Sequence, residues 1–237
     1  MVENPKNVVL PQKSNMNGIK NATMYLLSTG VWKANVQGCA SIIQNAATPN
    51  DIISTLARPY RLSAVNFHFT NMSRDDLSVA LVDAWTSSEN PNMDSDMTKA
   101  QAVRLFQICN PEKMMCEADY EVYKQLPDEL IVYRGLGTLN ADNIKALSWT
   151  LNVDRAKWFA KRFNFSNAPL KVYRAKIKKK YVFAYCNDRN EGEVIVDYHI
   201  QLKDGSTNAA IRRKRRLSED NERAAAEMFD LKADSDT

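Results

Sequence analysis

The sequence changes character at Pro127-Asp128-Glu129, and this change limits the folds open to the chain. After it, β-branched and aromatic residues cluster in five short runs, the pattern that predicts short strands. A helical pattern from about residue 152 interrupts them, with Val153, Ala156, Phe159, Ala160 and Phe163 as its predicted buried face. The runs are Leu130–Arg134, Leu147–Thr150, Val172–Ile177, Tyr181–Tyr185 and Val194–Ile200.

Before the change the sequence indicates helices. The clearest has Ser73 as its N-cap and repeats apolar residues at the spacing of one buried face, at Leu77, Ala80, Leu81, Ala84 and Trp85. Further helices are predicted over 18–30, 37–47, 97–109 and 112–125, with a polar loop over 86–96. We therefore expect an α+β protein: a helical region over 1–126, a mixed-sheet core over 127–205, and a basic then acidic tail over 206–237.

Composition restricts the function classes. The four cysteines contain no C-x-x-C pair, and the two histidines are far apart, so no zinc site or other metal centre is predicted. The N-terminus lacks the pattern of a signal peptide, and no apolar run is long enough for a membrane span, so a soluble cytoplasmic protein with no membrane partner is expected. The net charge of +4 does not by itself indicate a nucleic-acid binder.

Three segments in the second half carry candidate chemistry. Arg134 ends the first strand run, and a guanidinium matches phosphate oxygens two at a time, while Gly135 would allow a ligand close to the backbone. Gly135-Leu136-Gly137 lacks the third glycine of a dinucleotide fingerprint, so a Rossmann site is rejected.

The other two segments supply hydroxyls and carboxylates. Ser148 and Thr150 share one face of a strand, with Trp149 directed into packing. Glu191 and Glu193 lie two apart where a buried strand opens, so both carboxylates are expected on one side. Like charges this close are held together more readily when a cation shares their site.

In order and flanking structure, these three segments resemble the motifs of the arginine-serine-glutamate class of mono-ADP-ribosyltransferases. The segments are Tyr133-Arg134-Gly135, Ser148-Trp149-Thr150 and Glu191-Gly192-Glu193. The resemblance covers about residues 130–200 and implies the split mixed β-sheet core of that family, with NAD as substrate. It implies that Arg134 holds the NAD phosphates and that the backbone of Gly135 takes the nicotinamide amide. It implies also that Ser148 orients Glu193, that Glu193 stabilises the oxocarbenium ion, and that Glu191 steers or deprotonates the acceptor.

The same resemblance extends into the following helix and loop. Ala156-Lys157-Trp158-Phe159-Ala160 matches the helix of the family, and 164–169 matches its phosphate-and-nicotinamide loop. Phe159, Arg162 and Phe165 thereby become candidates for ring stacking or a second phosphate contact, beside Ser148, Trp149 and Thr150. The serine motif departs from the family pattern at Trp149, where many members carry threonine, and at Thr150, where they carry serine.

Several alternatives stay open at the level of sequence. Glutamate at position 191 favours a protein arginine as acceptor by resemblance, whereas the basic residues of 171–180 and 212–216 would suit an RNA or DNA base. An NAD glycohydrolase, a self-modifying transferase, or a decayed domain acting as an interaction module would share most of these residues. The helical region would recognise the target, or an inhibitor or antitoxin protein. The biological settings that fit are an intracellular toxin, an exported effector or a phage enzyme that modifies its host.

Overall fold

The computed structural model describes residues 8–88, 91, 97–138, 145–162 and 171–197. The chain divides into two compact units, Met1–Lys124 and Gln125–Thr237. This division lies two residues before the boundary expected from the sequence, at 126/127. The predicted tail over 206–237 lies outside the described residues.

The first unit is built from helices. Polar side chains begin several of them: Ser73 Oγ accepts from the backbone N–H of Asp76 at 3.2 Å, and Thr48 and Thr98 each form a capping box. The predicted helix start at Ser73 is thereby confirmed. The helices are α1 (Met16–Ser28), α2 (Cys39–Asn45), α3 (Pro49–Ser54), α4 (Arg61–His68), α5 (Arg74–Ser87), α6 (Lys99–Ile108), α7 (Pro111–Met114) and α8 (Glu117–Gln125).

The core of this unit lies where α3, α4, α5 and α6 meet. All five apolar residues predicted to line one face of α5 are buried. Trp85 of that face packs edge-on against Phe106, with ring centroids 5.3 Å apart. Helices α3 and α4 were not predicted from the sequence, and α7 and α8 were predicted as one helix over 112–125. Extended backbone at Met115 separates those two helices.

The second unit contains one five-stranded sheet. Its order is β3-β1-β2-β5-β4, and every pairing among the described strands is antiparallel. The α+β class is thus confirmed, but the predicted mixed sheet is wrong for these strands. Strand direction depends on which distant segments pair, which local patterns do not encode. The strands are β1 (Glu129–Leu136), β2 (Ser148–Thr150), β3 (Lys171–Lys178), β4 (Val182–Cys186) and β5 (Glu193–Val196).

A ninth helix, α9 (Val153–Arg162), packs against β1 and β3. Its fully buried residues are Ala156 and Ala160. The predicted burial of Val153 is wrong, because that side chain is 37% exposed, and Phe159 is half-buried. Phe163 lies outside the described residues. Small residues face the sheet here because the helix backbone lies almost in contact with the strand. Among the described residues, no helix combines the length and apolar character that a bilayer span requires.

Candidate active site

The sheet order places the three candidate segments on neighbouring strands. Arg134 lies on β1, Ser148 on β2 and Glu193 at the first position of β5, and these three strands are adjacent. In the register, Tyr133 lies opposite Thr150, and Thr150 lies opposite Glu193. Segments nearly 60 residues apart in sequence therefore meet in one part of the sheet.

The central contact joins the serine to the second glutamate. Ser148 Oγ donates a hydrogen bond to Glu193 Oε1. Ser148 pairs with Ile195, two positions beyond Glu193, so the two side chains are diagonal neighbours on one face of an antiparallel pair. This hydrogen bond holds the carboxylate in one orientation. Both residues are half-buried, so the carboxylate is still accessible from the surface. The orienting role expected for Ser148 is consistent with this geometry.

Arg134 lies beside this pair and is only 9% exposed. Its Nη1 donates to the backbone carbonyl of Ser148 at 2.6 Å. Burial lowers the pKa of Arg134 to about 10, and the negative charge of Glu193 opposes that shift. The guanidinium therefore remains a cation at neutral pH. This placement supports a role in organising Ser148 and Glu193, and the predicted contact with NAD phosphates stays a prediction.

Glu191 lies in the loop before β5, not in the strand itself. Gly192, between the two glutamates, has a φ of +52°, and Asn190 before them has a φ of +54°. The strand alternation that predicted both carboxylates on one side does not apply across this left-handed turn. Glu191 Oε2 lies 3.0 Å from Nη2 of Arg189, and its side chain is 12% exposed against 54% for Arg189.

A set of hydrogen bonds fixes the loop that carries Glu191. Thr150 Oγ1 donates to the carbonyl of Glu191 at 2.6 Å and accepts from the N–H of Asn152 at 3.0 Å. The N–H of Leu151 donates to the carbonyl of Gly192 at 2.9 Å. The second hydroxyl of the serine motif therefore links β2, the start of α9 and the acidic loop.

Two further residues in this network were missed by sequence reasoning. Arg155 of α9 donates from Nε and Nη2 to the carbonyl of Asn190, at 3.1 and 2.8 Å. Asn187 Oδ1 accepts from the N–H of Gly192 at 2.9 Å. The Asn-Asp-Arg-Asn run before Glu191 is a turn signal that could have indicated Asn187. Nothing local in the sequence marks Arg155, since its partner is a backbone carbonyl 35 positions away.

Gly135 and Trp149 serve packing in this structure. A Cβ at Gly135 would lie 1.8 Å from the carbonyl oxygen of Ala156, so the glycine is explained by the close approach of α9. Trp149 is 6% exposed, and its indole N–H donates to the carbonyl of Ala146 at 2.9 Å. Its side chain is thus part of the core, as its place on the strand predicted, and the contact with cofactor proposed for it has no support from its position.

The aromatic and basic candidates of the following helix lie on α9. Phe159 contacts Trp158 edge-on, with ring centroids 5.1 Å apart, and the exposed Arg162 places its guanidinium carbon 5.2 Å from the Trp158 ring centroid. Phe165 and the rest of 163–170 lie outside the described residues, so its predicted stacking role stays a prediction.

No protein-family model, curated protein or solved structure matches this chain.

Proposed function

We propose that the protein is a mono-ADP-ribosyltransferase that cleaves NAD between nicotinamide and ribose and transfers ADP-ribose to an acceptor. The observation that carries the proposal is the hydrogen bond from Ser148 Oγ to Glu193 Oε1, with the Arg134 guanidinium beside it. The motif order alone requires no contact between these residues, whereas the reaction requires a carboxylate held in a fixed orientation.

The chemistry assigns a role to Glu193. As the bond between the ribose C1′ and the nicotinamide nitrogen breaks, its electron pair leaves with neutral nicotinamide and positive charge develops on the ribose. A carboxylate already fixed in place stabilises that charge without reorganising in the transition state. Ser148 holds the Glu193 carboxylate in one orientation, and the Arg134 cation lies beside it.

Glu191 is suited to the acceptor. If the acceptor is an arginine, its guanidinium nitrogen forms the new bond to C1′ and loses a proton, which Glu191 can accept. The contact between Glu191 and the exposed Arg189 supports this choice, because it demonstrates that a guanidinium fits against this carboxylate. The Arg189 side chain is 54% exposed, so it can move away and an incoming arginine can take its place beside Glu191. Transfer to an RNA or DNA base and hydrolysis of NAD by water are the alternatives that the experiment must separate.

The test is incubation of the protein with NAD labelled in its adenylate part, together with lysate, while free nicotinamide is measured in parallel. Glu193→Gln should lower both nicotinamide release and transfer by a factor of about 100 or more, because the transition-state charge loses its carboxylate. Glu191→Gln should lower transfer more than nicotinamide release. Glu129→Gln, which removes an exposed carboxylate at the far end of β1, is the matched control.

The outcomes are distinct. Label lost on protease digestion identifies a protein acceptor, and label lost on nuclease digestion moves the acceptor to RNA or DNA. Nicotinamide release without transfer identifies a glycohydrolase. Unchanged activity in folded Glu193→Gln protein, or no turnover of NAD by folded wild-type protein, would reject the proposal.

A further inference from the structure

Helix α9 exposes a large aromatic side chain flanked by cations. Trp158 is 44% exposed, whereas Trp32, Trp85 and Trp149 are at most 6% exposed. The guanidinium carbons of Arg155 and Arg162 lie 5.6 and 5.2 Å from its ring centroid, within the range of cation–π contact. The indole is thus held on the surface by two basic residues of the same helix.

The strand beside α9 adds a row of cations on the same face of the sheet. Gly135 faces α9, because a Cβ there would meet the helix backbone. Gly135 pairs with Val172, so by strand alternation Arg174, Lys176 and Lys178 of β3 lie on that same face. All three are exposed. Together with the exposed side of α9 they form what we call the basic–aromatic face.

The charge of this face is large for the protein. The sequences of α9 and β3 together hold eight Lys or Arg and one Asp, a net charge of +7, whereas the whole chain carries +4. Asp154 is the acid of α9 and pairs with Lys157 at 3.0 Å, and Glu129 on the adjacent strand pairs with Lys176. The remainder of the chain is therefore net acidic, and these two elements carry a marked excess of positive charge.

We propose that the basic–aromatic face binds single-stranded nucleic acid, with phosphates on the cations of α9 and β3 and a base stacked on Trp158. Single strands are favoured because their bases offer an exposed π-face, which a paired duplex does not. An acidic protein would use the cations, but it would gain no comparable stacking on the exposed indole. This surface does not depend on Glu193 or Ser148, so the inference is independent of the proposed enzyme activity.

The test uses Trp158 as its own reporter, because the other three tryptophans are buried. Fluorescein-labelled oligo(dT) or oligo(rU) is titrated into the full chain, and binding is followed by anisotropy of the label and, with unlabelled oligonucleotide, by quenching of tryptophan fluorescence. Trp158→Ala should raise the dissociation constant between about 5-fold and 150-fold, the loss expected for one stacked base. Trp158→Phe should restore most of the affinity, and it should abolish the quenching.

Electrostatics gives a second readout. Between about 50 and 200 mM salt, the slope of log affinity against log salt should fall by about 0.7 for each lost phosphate contact, as tested with Lys161→Gln and Arg174→Gln. Lys33→Gln and Lys113→Gln remove exposed charges from the helical unit and should leave the slope unchanged. Glu193→Gln should bind oligonucleotide as wild type does, which separates this inference from the proposed reaction.

Four results would overturn the inference: no binding at low salt, an affinity in folded Trp158→Ala equal to that of wild type, equal binding of poly-glutamate, or preference for a duplex over the single strand.

Discussion

Gly135 allows the backbone of α9 to pack directly against β1. A Cβ there would lie 1.8 Å from the carbonyl oxygen of Ala156 and 2.6 Å from the backbone nitrogen of Ala160. Both are backbone atoms of α9, so they cannot rotate away as a side chain could. Gly135→Ala should therefore destabilise the protein by about 3 kcal/mol or more, because α9 must move off β1. The free energy of unfolding in urea measures this loss.

Gly192→Ala is the comparison for that substitution. Gly192 has a φ of +52°, but the nearest atom to its Cβ would be Thr150 Oγ1 at 3.8 Å, so the cost is conformational and about 1–2 kcal/mol. If Gly135→Ala were no more harmful than Gly192→Ala, the close contact between α9 and β1 would be wrong.

His68 predicts how the helical unit responds to acid. The ring is 1% exposed, Nε2 lies 3.1 Å from Thr23 Oγ1, and burial lowers its pKa from 6.5 to about 4. Between pH 6.5 and about pH 4, His68 is protonated in the unfolded chain but stays neutral in the folded chain. Stability should therefore be full above pH 6.5 and should fall as the pH drops towards about 4, by about 3 kcal/mol in total.

Denaturant unfolding of wild type and His68→Gln, at a series of pH values from 7 to 4, tests this expectation. Glutamine cannot titrate in this range and keeps a polar group near Thr23, so the variant should lose most of the pH dependence, although carboxylates contribute their own part. The same acid response in both proteins would show that His68 is not its source.

At the scale of elements, one hydroxyl joins three parts of the second unit. Thr150 Oγ1 connects β2 to the carbonyl of Glu191 and to the N–H of Asn152, the residue just before α9. Thr150→Val keeps the shape but leaves two backbone groups without this partner, which should cost about 1–3 kcal/mol and loosen the loop that carries Glu191. Thermal unfolding, and hydrogen exchange over residues 187–192, measure the two effects.

Thr150→Ser preserves the hydroxyl and should behave nearly as wild type in both measurements. Faster exchange in Thr150→Val but not in Thr150→Ser is the expected pattern. If both variants exchanged as wild type does, the remaining contacts of the loop, from Leu151, Arg155 and Asn187, would be sufficient to hold it.

At the scale of the whole molecule, the rates at which cysteine thiols are alkylated report on the native packing. Cys109 is 8% exposed, and burial raises its pKa to about 12, while Cys116 lies exposed nearby in sequence. Because the thiolate is the reactive form, iodoacetamide at about pH 8 should label Cys116 quickly and Cys109 at least about 100-fold more slowly. Mass spectrometry of peptides after timed labelling reads both rates from one sample.

In guanidinium chloride the two rates should converge, because burial is then lost. Equal rates in the native protein would mean that the packing around the end of α6 differs from that described here. Cys186 is also 8% exposed and should be protected with Cys109.

Local patterns were sufficient for much of the fold. Each of the five β-rich runs overlaps one strand, and the buried face of α5 was predicted residue by residue, because periods of two and of 3.6 residues can be recognised in the sequence itself. The short helices α3 and α4 were missed, since six or eight residues give too few turns for a periodic signal. Val153 was predicted to be buried from the same periodicity, and only the position of the sheet decided otherwise.

By itself the sequence determined the α+β class, the order of the strands along the chain and the residue types of the candidate site, because propensity, capping and alternation act over a few residues. Tertiary structure alone decided that β1, β2 and β5 are neighbours, so that the Ser148 hydroxyl reaches Glu193 and Arg134 is buried beside them. It also decided that α9 packs against β1 at Gly135 and that Arg155 donates hydrogen bonds to the Asn190 carbonyl. These contacts join residues 14 to 45 positions apart, and pairing over such separations is set by packing of the whole unit.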